Sequence, residues 1–110
     1  MYLGADDIET IKGYFKTKPV LKAYLFGSFV RNEADFKSDI DILVELDYSQ
    51  RIGLQFIQMQ MDLEKLLNKR VDLVSSIGLS PYIKPWVDDE KRLIYARRRF
   101  FRQSAIFSPD

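Results

Sequence analysis

The 110-residue chain contains no cysteine and no histidine. Without cysteine there is no disulfide framework and no thiolate metal site. Without histidine, a Ser-His-Asp triad and histidine-ligated zinc are excluded. Any metal must rest on oxygen ligands, which favours magnesium, manganese or calcium. No apolar run reaches the ~18–20 residues that a membrane span needs. The formal net charge is only +1, so the whole molecule is not marked as a nucleic-acid or membrane binder. The N-terminal stretch carries Asp6, Asp7 and Glu9 and no signal-peptide pattern. A cytoplasmic protein is therefore expected.

What is present supports a folded core. Hydrophobic residues make up 46% of the chain and aromatics 14%, more than a disordered segment carries. The length predicts one domain over 1–110. Ile8, Ile11, Tyr14 and Phe15 recur at helical spacing behind acids in a first turn, and Pro19 follows, which predicts a helix over 6–15. Strands are predicted over 20–26, 39–46 and 70–76. Between the first two, Gly27-Ser28 breaks the pattern and a short helix is predicted over 29–34. A long amphipathic helix is predicted over 52–67, closed by Asn68 and Lys69. Met59 and Met61 read as core positions on it. Ser80 and Pro81 fit the start of another helix, short or kinked because Pro85 follows. Residues 92–96 read equally as a strand or a helix start. The order predicts a small α/β (α+β) domain, a mixed sheet of three to four strands with helices packed on one face.

The stretch "SDIDILV" places Asp39 and Asp41 inside an apolar strand. Alternation puts both on one face, about 7 Å apart along the chain, with Ile40 and Ile42 facing the core. Two carboxylates so close repel unless a cation sits between them. Magnesium resolves such a conflict, taking one or two carboxylates and leaving its other positions to water and phosphate. Gly27 lets a phosphate approach the backbone, Ser28 offers a hydroxyl, and the turn after them presents N–H groups to an anion. Arg31 reads equally as a phosphate ligand or as a solvated residue. Asp72 interrupts the third strand, either as a surface aspartate or as a third carboxylate. Three carboxylates around two metals suit in-line phosphoryl or nucleotidyl transfer.

Gly27-Ser28, ten residues, then Asp39-Ile40-Asp41 resembles the Gly-Ser-x10-Asp-x-Asp signature of the DNA polymerase β-like nucleotidyltransferase superfamily. The short length and "RVDLV" resemble its minimal nucleotidyltransferase (MNT) branch. The resemblance covers 22–95, leaving a basic and aromatic segment over 96–110. It implies that Gly27 and Ser28 hold the triphosphate of ATP and that Asp39 and Asp41 bind two magnesium ions, or manganese. It further implies that Asp72 completes the catalytic carboxylates as a metal ligand and candidate general base. Ser38 is also typical of the family beside the nucleotide. Phe29 and Asn32-Glu33 stand where family members often carry an arginine or tyrosine and a glycine. Many minimal members are antitoxins whose partner is a HEPN-domain ribonuclease toxin, neutralised by AMP transfer from ATP to a tyrosine. The resemblance therefore implies a protein adenylyltransferase acting as a type VII-like antitoxin. The alternatives are an antitoxin that acts by binding alone, and a nucleotidyltransferase with a small-molecule acceptor.

Lys91, Arg92, Arg97, Arg98, Arg99 and Arg102 cluster without an acid among them, interleaved with Phe100 and Phe101. Such mixtures occur at nucleic-acid sites. The favoured reading is a segment whose aromatics pack on the domain or on a partner.

Overall fold

The computed structural model describes residues 3–35 and 37–97. The basic and aromatic segment from Arg98 onward lies outside the described residues. The elements are α1 (Ala5–Phe15), β1 (Val20–Phe26), a 3-10 turn (Gly27–Phe29), β2 (Ile40–Leu46), α2 (Gln55–Leu67), β3 (Val71–Ser75), a second 3-10 turn (Ser76–Gly78), α3 (Lys84–Glu90) and β4 (Arg92–Ala96). The sheet order is β3-β2-β1-β4. β1 pairs antiparallel with both β2 and β4, whereas β2 and β3 are parallel. A parallel pair needs a crossover, and α2 supplies it. The mixed four-stranded sheet is the fold class that the element order predicts, and residues 92–96 are its fourth strand.

β2 explains the layering. Ile40, Ile42, Val44 and Leu46 enter one core with Ile11 and Phe15 of α1 and Met59, Leu63 and Leu67 of α2. Asp39, Asp41, Leu43 and Glu45 alternate onto the other side. Leu43 and Val87 are buried there, outside the main cluster. α1 and α2 thus cover one face and leave the aspartates on the other. Met59 is core, as expected. Met61, two residues on and so rotated well away from it, is 47% exposed, which corrects its reading as a core residue.

Three boundaries differ from expectation for local reasons. The helix over 29–34 does not form, because the 3-10 turn ends at Phe29 and Asn32 adopts φ 61°. A left-handed residue ends a right-handed helix. α2 starts at Gln55 rather than at residue 52, since Gly53 has φ 48°. α3 starts at Lys84, which puts Pro85 in its first turn, the one place where a missing N–H costs no helical bond. Ser80 instead accepts a hydrogen bond from Tyr82 N–H (3.2 Å), closing a turn ahead of α3.

Candidate active site

The C-terminal end of β1 and the N-terminal ends of β2 and β3 meet at one edge of the sheet. Register fixes the site there. Asp41 lies opposite Phe26, the residue before Gly27, and beside Asp72 on β3. Asp39 directly precedes β2, beside Arg70, which directly precedes β3. Residues from three separate stretches of sequence thus share one edge.

Gly27 is needed at the centre of the site. Its φ is 81°, and a β-carbon there would sit 2.1 Å from Asp41 Oδ2. The carboxylate fills the space that a side chain would take. Ser28 is half-buried, and among the described residues its hydroxyl has no hydrogen-bond partner. The turn is held by Val30 N–H and Arg31 N–H donating to Gly27 O (3.0 and 3.1 Å), and by Glu33 N–H donating to Ser28 O (2.9 Å). Asn32, with φ 61°, supplies the left-handed residue of the turn, a conformation that asparagine tolerates.

Asp41 is pushed up to about 6, first by burial and then by the neighbouring charges of Asp72 and Asp39. Arg31 opposes the shift and Glu90 adds to it. Asp39 Oδ1 is buried without a hydrogen bond. Arg70 Nε lies 3.1 Å from that oxygen, close enough for an ion pair but without hydrogen-bond alignment. Asp72 is exposed on its strand. Among the described residues no group of three acidic side chains is already gathered around a metal-sized space. The donors nevertheless fit a hard cation. All are carboxylate oxygens, one is buried without a hydrogen bond, and Asp41 carries a raised pKa that a divalent ion would reverse.

Ser38 and Arg31, the other expected ligands, already have partners within the fold. Ser38 Oγ accepts from Asp35 N–H (3.0 Å) and donates to Asp35 Oδ1 (3.3 Å), so its hydroxyl closes the loop before β2. Arg31 donates from Nε to Glu33 (2.9 Å) and from Nη1 to both oxygens of Glu90 (2.9 and 3.1 Å). Glu90 also accepts from Gly27 N–H (2.7 Å). Neither Glu90 nor Arg70 is singled out by sequence. Glu90 ends an acidic run that reads as a solvated helix end. Arg70 had one signal, its place immediately before the strand that carries Asp72.

Lys37, Ser38, Asn68, Lys69 and Arg70 line a groove of about 260 Å³ on the Asp39 side. Pro85, Trp86, Asp89 and Glu90 line one of about 300 Å³ on the α3 side. A third groove of about 490 Å³ lies between α1 and β4, away from the carboxylates.

Residues 9–100 match the family model described as polymerase beta, nucleotidyltransferase. A candidate protein adenylyltransferase of Methanocaldococcus jannaschii is 41% identical over 77% of this chain and 82% of its own. The protein adenylyltransferase MntA of Thermococcus cleftensis is 47% identical over 50% of this chain and 54% of its own. Among solved structures, a candidate minimal nucleotidyltransferase superposes with a TM-score of 0.69 at 31% identity, over 79% of this chain and 88% of that one. A toxin–antitoxin structure with AMP-PNP gives 0.68 at 21% identity, over 96% and 83% of the two chains. A tri-AMPylated Shewanella oneidensis HEPN toxin in complex with its MNT antitoxin gives 0.62 at 19%, over 92% and 79%. The last two likenesses speak for the fold. With its Gly-Ser turn and carboxylates at one sheet edge, the chain belongs to the polymerase beta nucleotidyltransferase family.

Proposed function

We propose that this protein transfers AMP from ATP to a tyrosine of a HEPN ribonuclease toxin and thereby acts, in the cytoplasm, as its antitoxin. The observation that carries the reading is the meeting of Gly27-Ser28 with Asp39, Asp41 and Asp72 at one sheet edge. Relatives named as adenylyltransferases and structural neighbours solved as toxin–antitoxin complexes support it.

In this reading Gly27 and Ser28 seat the triphosphate, and Arg31 contributes cationic charge beside it. Asp39 and Asp41 would hold magnesium or manganese, with Asp72 as the further ligand if two ions are bound. When bound, the metal supplies positive charge against the triphosphate and the departing pyrophosphate. The tyrosine oxygen forms a bond to the α-phosphorus as the bond from that phosphorus to the β-phosphate bridge breaks. Pyrophosphate leaves, and the phenolic proton passes to a carboxylate, the role this reading gives to the exposed Asp72. The acceptor is brought by the partner.

Mass spectrometry of the partner toxin after incubation with ATP, magnesium and substoichiometric protein tests this. The expected result is a gain of one or more AMP units on a tyrosine, with the toxin inactive after the antitoxin is removed. Full protection by Asp39→Ala and Asp41→Ala variants that add no AMP would leave binding alone as the function.

A further inference from the structure

Glu90 stands outside the Gly-Ser-x10-Asp-x-Asp pattern, yet it makes the contacts that shape the phosphate turn. It is the last residue of α3, 63 positions from Gly27 in sequence. Its Oε2 accepts the Gly27 N–H at 2.7 Å, and both its oxygens accept from Arg31 Nη1 at 2.9 and 3.1 Å. One carboxylate therefore grips the turn at its first residue and again four residues later. A helix C-terminus disfavours an anion, and Glu90 also lies within reach of the negative charge on Asp41. An acid placed against both fields is stabilised there by these two donors.

We propose that Glu90 is a positioning residue for nucleotide binding, acting through Gly27 and Arg31. The proposal rests on the nucleotide reading above and extends it to α3. By accepting from Gly27, Glu90 fixes the peptide whose φ of 81° leaves room for the Asp41 carboxylate. By pairing with Nη1 while Glu33 holds Nε, it sets the plane of the Arg31 guanidinium. The two N–H groups of Nη2 have no partner among the described residues. They remain as donors for phosphate oxygens, and a guanidinium with its plane fixed loses little freedom on using them.

Glu90→Ala and Glu90→Gln test this with two readouts in magnesium: the Kd for ATP, and kcat and KM for AMP transfer to the toxin. Glu90→Ala should raise the ATP Kd and KM by about tenfold or more, with a smaller change in kcat. Glu90→Gln keeps an acceptor for Gly27 but cannot pair with Arg31 through both atoms, so it should fall between Ala and wild type. Tighter ATP binding by either variant would instead make Glu90 a stand-in for phosphate and overturn the proposal. A kcat loss at unchanged KM would overturn it as well. So would an affinity loss matched by an equal loss of thermal stability, the mark of a plain structural tie. If the Ala variant does not fold, Gln alone decides, and wild-type affinity overturns the proposal. Failure of the wild-type protein to bind ATP overturns the nucleotide reading and this inference with it. Wild-type binding that both variants keep overturns this inference alone.

Discussion

Gly27 and Asp41 occupy one another's space: a β-carbon on Gly27 would lie 2.1 Å from Asp41 Oδ2. The glycine of the turn and the second aspartate of the strand are therefore one steric unit. Gly27→Ala should turn the Asp41 carboxylate away and force φ 81° on a residue with a side chain, costing about 1–2 kcal/mol of stability. Displacing a carboxylate proposed to hold the metal by an ångström should lower AMP transfer by about 100-fold. Denaturant melts and toxin modification assays check the two effects separately. Wild-type transfer by Gly27→Ala would contradict the packing.

Asp41 makes the ligand-free protein pH-sensitive. Its carboxyl is raised from 3.8 to about 6 in the fold, so folding favours the protonated form. The stability this contributes is fully present below 3.8 and is lost as pH rises through about 6. Asp41→Asn should remove that loss and melt above the metal-free wild type at pH 7.5, with the gap closing toward pH 4. Magnesium with ATP should stabilise the wild type at pH 7.5 and less so at pH 5.5, where the proton competes, and should leave Asp41→Asn nearly unmoved. Thermal melts over that pH range decide it. A pH-independent difference between the two proteins would assign the effect to something other than Asp41.

The site carboxylates should separate by severity. Asp39→Ala and Asp41→Ala each remove a carboxylate proposed to hold the metal and should lower AMP transfer by at least about 100-fold. Asp72→Ala should weaken it strongly. Ser28→Ala should cost less, about tenfold or under, since in the proposed reading backbone N–H groups of the turn would still hold the phosphates. Single-turnover transfer with each variant gives the ranking, and Ser28→Ala as severe as Asp41→Ala would shift the phosphate contacts onto the hydroxyl.

What was legible in the sequence was what alternation and turn chemistry encode locally. The apolar spacing of Ile40, Ile42 and Val44 located β2 and put Asp39 and Asp41 together on the other face. Gly27-Ser28 marked the end of β1, and Asp72 fell in its predicted strand. Two kinds of feature were not legible. Asn32 and Gly53 take left-handed conformations, which helical periodicity does not register, so it predicts helices that run through them. The contacts of Arg31, Arg70 and Glu90 depend on which charges meet in three dimensions. The Arg31–Glu90 pair spans 59 positions, and no spacing rule reaches that far. Ser38 is the opposite case, a partner so near in sequence that its hydroxyl bonds Asp35 within the same loop.

The outer side of α3 should carry the acceptor protein. Tyr82, Ile83 and Trp86 are 88%, 50% and 75% exposed, and Trp86 shares the groove beside α3 with Glu90. Large apolar side chains gathered next to a reaction site mark a docking surface, and tryptophan is among the residues that most often dominate binding. Trp86→Ala should therefore lower affinity for the toxin by about 2 kcal/mol, roughly 30-fold. Because Trp86 makes no hydrogen bond to the Gly27–Ser28 turn among the described residues, ATP affinity should not change, and the KM for the toxin should rise while that for ATP holds. This pattern is the reverse of the one expected for Glu90. Titration of the toxin against wild type and Trp86→Ala, with ATP binding measured on the same samples, checks both halves. Equal toxin affinity in the two proteins would place the interface on another face, such as the exposed Leu54, Ile57 and Met61 of and before α2.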